Sequence, residues 1–106
     1  MFNKHAELAR RLHKDDRPPW DIGDIVEWLH VPVAVLSTPE FRHAGGRVES
    51  WYSRAAYLRL PRQPFEYRVG QIIPDFQMGG KYAWVAPLTD EEEALVMRLL
   101  LTGESL

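Results

Sequence analysis

Four histidines, His5, His13, His30 and His43, are the side chains best suited to proton transfer or metal binding near neutral pH. No two stand four apart, and no Asp or Glu beside them completes a ligand set, so no metal site is expected. His5 falls on the apolar side of a helical pattern, where a boundary histidine is the ordinary reading. His43 stands beside Gly45-Gly46 with Arg42 and Arg47 close in sequence, and is the one histidine placed to carry a proton among cations. An exposed turn residue is the plainer alternative. Asp15-Asp16 and the Asp21/Asp24 pair could act as paired carboxylates. Nothing basic or glycine-rich is spaced to assist them, and turn or capping roles account for both. The chain has no cysteine, which excludes disulfides, thiolate metal sites and cysteine nucleophiles. Neither Gly45-Gly46 nor Gly79-Gly80 fits a phosphate-loop pattern. No reacting group is placed, no cofactor is expected, and the balance leans away from an enzyme.

The second chemistry on offer is recognition. Trp51, Tyr52, Tyr57 and Tyr67 interleave with Arg54, Arg59 and Arg68. Such strands can stack bases and follow a phosphate backbone. The competing reading makes the aromatics core and the arginines outward-facing. Arg outnumbers Lys ten to three, which suits bidentate contacts to carboxylate or phosphate, although genomic base composition yields the same bias. Net charge is −2 but uneven: residues 40–70 carry six Arg against three Glu, whereas residues 71–106 carry two cations against six carboxylates. That asymmetry marks either a partner-facing side or two halves that pair with each other. The candidate partner-binding residues are Arg42, Arg47, Trp51, Arg54, Tyr57 and Arg59, since Arg and large aromatics dominate binding hot spots.

Two segments carry family resemblances. Gly23-Asp-Ile-Val26 followed by Pro32-Val-Ala-Val-Leu-Ser37 resembles the opening of the MazF-type toxin ribonucleases. The resemblance implies a dimeric β-barrel with a closing helix and an RNA-cleaving activity. That family usually has an arginine directly before the proline; here the residue is Val31, and the loop between the strands is shorter. Tyr67-Arg-Val-Gly-Gln-Ile-Ile-Pro-Asp75 is similar to a segment of mono-ADP-ribosyltransferases. The Ser-Thr-Ser stretch and the Glu-x-Glu motif of that family are missing. Neither resemblance supplies a site residue.

The elements that would position these groups follow from pattern. A chain of 106 residues makes one domain, residues 1–106, with an ordinary 45% hydrophobic fraction. No run of eighteen apolar residues suggests a membrane span. The opening Met-Phe-Asn-Lys-His-Ala-Glu has no apolar stretch of the signal-peptide kind, so cytoplasmic residence is the default expectation. Phe2, His5, Leu8, Ala9 and Leu12 share one face, predicting an N-terminal helix over residues 2–14 that ends before Pro18-Pro19. Residues 21–30 fit a short helix capped by Asp21 or a strand over Ile22–Val26. Val33–Leu36 reads as a buried strand. Val48–Leu60 fits both periods, and its β-branched and aromatic content favours a strand, with Phe65–Val69 forming its hairpin partner. Gly45-Gly46 and Gly79-Gly80 read as hairpin turns. Ile22-Gly-Asp-Ile-Val26 echoes Val69-Gly-Gln-Ile-Ile73, two apolar strands each entered through a glycine turn.

The C-terminus is the firmest segment. Thr89 with Glu92 forms a capping box, Asp90, Glu91 and Glu93 suit the positive end of the helix dipole, and Gly103 is a natural stop. Leu95, Val96, Met97, Leu99, Leu100 and Leu101 make a helix too apolar for one contact face, predicting either a sheet beneath it or a second chain. The fold class expected is α+β: an N-terminal helix, a small curved antiparallel sheet of four to six strands, and a C-terminal helix packed on it. The function expected is that of a small non-enzymatic interaction protein binding a larger macromolecule, as regulators and inhibitors of the phage or mobile-element kind do. A protein partner is favoured over nucleic acid, with a homodimer through the C-terminal helix. The alternatives are a toxin-like RNA-acting enzyme using Arg and His43, and a nucleic-acid-binding module.

Overall fold

The structure, a computed structural model, describes residues 18–42, 50–79 and 81–103. The helix expected over residues 2–14 and the turn expected at Gly45-Gly46 lie outside the described residues. The described chain forms six strands and then a helix: β1 (Ile25–Trp28), β2 (Val31–Val35), β3 (Glu40–Arg42), β4 (Ser50–Tyr57), β5 (Ile73–Gln77), β6 (Tyr82–Ala83) and α1 (Asp90–Thr102). Among these residues no helix is long and apolar enough to cross a membrane.

All strand pairs are antiparallel, and β4 organises them. Tyr52 pairs with both Glu40 of β3 and Gln77 of β5, and Ala55 with both Val35 of β2 and Ile73 of β5. A strand has only two edges, so β5 occupies one edge of β4 while β2 and β3 share the other. The kink between β2 and β3 falls at Ser37-Thr38-Pro39. There side chains replace ladder bonds: the Arg54 amide donates to Ser37 Oγ at 2.8 Å, and Ser53 Oγ lies 2.9 Å from Ser37 Oγ. β1 then pairs with β2, and β6 with β1. The sheet therefore runs β6, β1, β2 with β3, β4, β5.

β2 is buried along its whole length, because both of its faces are covered. Val31, Val33 and Val35 point into an inner core with Val26, Trp51, Ala55, Tyr57, Ile73, Phe76 and Met78. β1 and β5 lie at separate positions in the ladder yet share this cluster, so the sheet curls on itself. Trp20, Phe41, Phe65 and Tyr67, partly buried, pack against this cluster. The alternate residues, Ala34, Leu36, Ala56 and Leu58, meet Val96 and Leu99 of α1. Two alanines, Ala34 and Ala56, stand on this face beneath the helix. A strand sandwiched in this way reads as a continuous apolar run.

α1 begins as its sequence dictates. The Glu92 amide donates to Thr89 Oγ1 at 3.1 Å, and the Thr89 amide donates to Glu92 Oε1 at 2.9 Å. Gly103, at φ 70°, ends the helix and donates its amide to Leu99 O. The two echoed glycines also behave alike. Gly23 before β1 has φ 92° and Gly70 before β5 has φ 78°, conformations that L side chains rarely adopt.

Several sequence expectations are corrected. Residues 25–28 form a strand, excluding the helix reading of residues 21–30. Gly79-Gly80 does not join a hairpin, since β5 pairs with β4 and β6 with β1. Phe65–Val69 is not a strand: Pro61 and Pro64 break the extension, and Phe65 and Tyr67 turn inward against Tyr57 at 4.7 and 6.4 Å between ring centroids. Val85, on the segment that leads into α1, is 92% exposed. The toxin-ribonuclease resemblance implies a barrel with a closing helix; the described residues form a curled six-stranded antiparallel sheet with one C-terminal helix. Val31, where that family carries an arginine, is buried in the inner core.

Candidate functional site

Among the described residues, the β1–β2 connection is the sharpest local conflict between sequence and backbone. Trp28 pairs with Val31, leaving Leu29 and His30 as a two-residue turn. Both have positive φ, 55° and 65°. That is the backbone of a type I′ hairpin turn, whose usual residues are Asn-Gly or Asp-Gly. An L side chain in the left-handed region costs roughly 1–2 kcal/mol per residue. Here the turn is made from a leucine and a histidine.

This turn forms one wall of a half-open cleft of about 790 Å³, lined by Leu29, His30, Val31, Arg59, Leu60, Pro61, Arg62 and Gln63. That size is within the range of ligand sites. The opposite wall is the segment that leaves β4, turned away from the sheet by Pro61. Leu60 is 42% exposed despite its apolar side chain.

Arg59 is fixed from behind. Its Nε donates to Glu92 Oε2 at 3.0 Å and its Nη2 to Glu92 Oε1 at 2.8 Å, while its guanidinium lies 5.3 Å from the centroid of the Trp84 ring. The Glu92 carboxyl is held below the usual carboxylate range, first by the Arg59 hydrogen bond, against the opposing effect of burial. Arg59 thus enters the cleft with its charge already matched. The side chains of His30 and Arg62 have no hydrogen-bond or ion-pair partner among the described residues. The cleft combines apolar walls, an imidazole, one neutralised guanidinium and one uncommitted guanidinium. That set can seat an extended segment bearing an anionic group.

A smaller hollow of about 260 Å³ opens near the β2–β3 kink, lined by Ser37, Thr38, Glu40, Arg42, Tyr52, Ser53, Arg54 and Pro74. Arg42 pairs there with Asp75 and with Glu40, and stands 5.6 Å from the Tyr52 ring centroid. Arg54 is exposed, and its side chain has no ion pair among the described residues.

Of the six residues singled out from sequence, the five that are described do not converge. Arg42 and Arg54 line the smaller hollow, and Arg59 lines the cleft at the far end of β4. Trp51 and Tyr57 are core residues, 9% and 2% exposed, and burial pushes the Tyr57 phenol up to about 12. Arg47 and His43 lie outside the described residues. Sequence reasoning missed His30 and Arg62. The available signal was a pair of strand-like stretches, Ile25–Trp28 and Val31–Leu36, separated by only two residues; the lack of Gly or Asn hid the turn. Among the described residues no three His, Cys, Asp or Glu side chains group to hold a metal ion.

Comparison of the chain with protein-family models, with curated proteins and with solved structures gives no match.

Proposed function

We propose that this is a small interaction protein that works by seating an anionic, partly apolar segment of a larger partner in the cleft between Leu29–His30 and Arg59–Gln63. The observation that carries the reading is the strained turn. Residues held in disfavoured backbone regions persist where something other than stability selects them, and they gather at binding and switch sites. Asn-Gly would make this hairpin more comfortably, yet the chain presents Leu29 and His30 to the cleft. A protein partner is favoured over nucleic acid, because the cleft's walls are apolar and one of its two arginines is already paired.

The test replaces the turn. Leu29→Asn with His30→Gly should raise unfolding stability by about 1–2 kcal/mol, the cost of one left-handed L residue or more. Capture of the partner from extracts of the native host should fall at least tenfold, and Arg62→Glu should reduce it likewise without changing stability. A turn variant that is more stable and still binds the partner fully would remove the cleft from the interface. A turn variant no more stable than the wild type would overturn the strain argument itself.

A second reading has one observation in its favour: His30 and two arginines share one cleft, a grouping able to shuttle a proton beside a phosphodiester. This is the toxin-like RNA-acting alternative, with His30 in place of His43. RNA cleavage by the wild type, lost in His30→Ala and Arg62→Ala, would establish it over the binding reading. The homodimer is likewise proposed rather than observed. Ala94, Met97 and Leu101 form an exposed stripe on α1, with Met97 57% and Leu101 79% exposed, and a second copy is its natural cover.

A further inference from the structure

The curled sheet has an open seam. Among the described residues, β5 pairs only with β4 and β6 only with β1, so no ladder hydrogen bonds join the two ends. Lys81 fills this seam. Its Nζ lies 3.8 Å from the centroid of the Trp28 ring on β1 and 5.1 Å from that of the Phe76 ring on β5. Both distances are within the range over which a cation is attracted to an aromatic face. No carboxylate pairs with Lys81 among the described residues, and burial lowers its pKa. The ammonium is therefore held by rings alone, while half-buried. Solvent still reaches the place, since Trp28 is 40% exposed and Tyr82 is 75% exposed.

A lysine ammonium is a poor occupant for such a site. It is compact and strongly hydrated, so pressing it between rings sacrifices hydration that no carboxylate replaces. A methylated ammonium keeps the positive charge that the rings attract but is larger and holds water less tightly. Aromatic cages that recognise choline and methyl-lysine work on this difference. We propose that Trp28 and Phe76 form a binding site for a methylated ammonium group, and that Lys81 is its internal placeholder, displaced when the ligand arrives. The site lies beside the strained turn but uses none of the residues that line the cleft, so it stands whether or not the cleft binds a partner.

The test is a titration of the full chain followed by the indole N–H signals of its tryptophans in NMR, with Trp28 assigned through Trp28→Phe. Choline chloride and Nα-acetyl-Nε-trimethyl-lysine amide are the titrants, and sodium chloride at matched concentration is the control. The wild type should show a saturable shift at Trp28 that sodium chloride does not reproduce. Lys81→Ala should bind at least about threefold more tightly, because removing an internal competitor raises the fraction of open sites. Phe76→Leu, which keeps the Trp28 reporter, should weaken the response, with circular dichroism verifying its fold. The titrant that binds more tightly identifies the source as a small molecule or a protein side chain. If Lys81→Ala shows no saturable shift beyond the salt control, or binds no more tightly than the wild type, the proposal fails.

Discussion

Truncating Leu99 to alanine tests the packing of the helix on the sheet more directly than any other single change. Leu99 is 1% exposed and lies among Ala34, Leu36, Ala56, Leu58 and Val96. Large-to-small changes at buried leucines cost about 2–5 kcal/mol, and the higher values arise where neighbours cannot collapse into the cavity. Two of the neighbours here are alanines on adjacent sheet strands, paired with each other as Ala34 and Ala56. Their methyl groups cannot swing inward, and the strands that carry them are fixed by ladder bonds on both sides. The loss should therefore fall in the upper part of that range, about 3–5 kcal/mol. At about 4–8 °C per kcal/mol for a domain near this size, the melting point should fall by some tens of degrees. Urea unfolding followed by tryptophan fluorescence at 25 °C measures it, with an unchanged denaturant slope confirming that the native state stays compact. Leu101→Ala is the internal control, read at protein concentrations at which the chain is monomeric so that association does not enter. Only two residues further along but 79% exposed, it should stay within about 0.5 kcal/mol of the wild type. A loss at Leu99 below about 0.5 kcal/mol, or equal losses at the two positions, would mean that α1 presents a different face to the sheet.

Two further outcomes are expected. Glu92 has its carboxyl pKa lowered in the folded state, chiefly by the Arg59 hydrogen bond, so its stabilising effect is fully present above the unfolded value of about 4.3 and fades as pH falls through the lower folded value. Glu92→Gln should therefore lower the melting point at pH 7, the gap should narrow on acidification below about pH 4, and a gap that stays constant from pH 7 to pH 2 would refute the ion-pair account. The homodimer proposal is tested by light scattering at micromolar concentration: a doubled mass that reverts to 12.3 kDa in Met97→Glu with Leu101→Glu supports the helix interface, and a monomeric wild type rejects it.

What could be read from the sequence depended on how local the determining interaction was. The capping box at Thr89 and Glu92 spans three residues, and Gly103 acts through its own backbone, so α1 was legible almost to its ends. The glycine turns before β1 and β5 were legible for the same reason. Strand pairing was not. Gly79-Gly80 suggests a hairpin, but β6 goes to β1, more than fifty residues away in sequence, where seam geometry decides and local composition has no say. The alternation of arginine with aromatic residues along β4 could not tell which side of the strand faces inward; the structure puts Trp51 and Tyr57 inside and leaves Arg54 outside. Arg59 was singled out as a contact residue, yet its tie to Glu92 joins residues 33 apart. The cleft stayed hidden because a hairpin turn built from Leu29 and His30 carries none of the residues by which such turns are recognised.

That turn also bears on the order in which the chain assembles. The β1–β2 hairpin closes over two residues and has the shortest loop of any strand pair here, which would ordinarily make it the first structure to form. A turn sequence that resists the left-handed backbone removes that head start, because the unfolded chain rarely visits the closing conformation. β2 must then be captured first by a more distant partner. The available one is β4, which meets β2 through Val33–Tyr57, Ala34–Ala56 and Val35–Ala55, some twenty residues away. We therefore expect a non-local rate-limiting nucleus, slower than a hairpin-initiated route, and faster refolding by stopped-flow fluorescence once the turn is Asn-Gly.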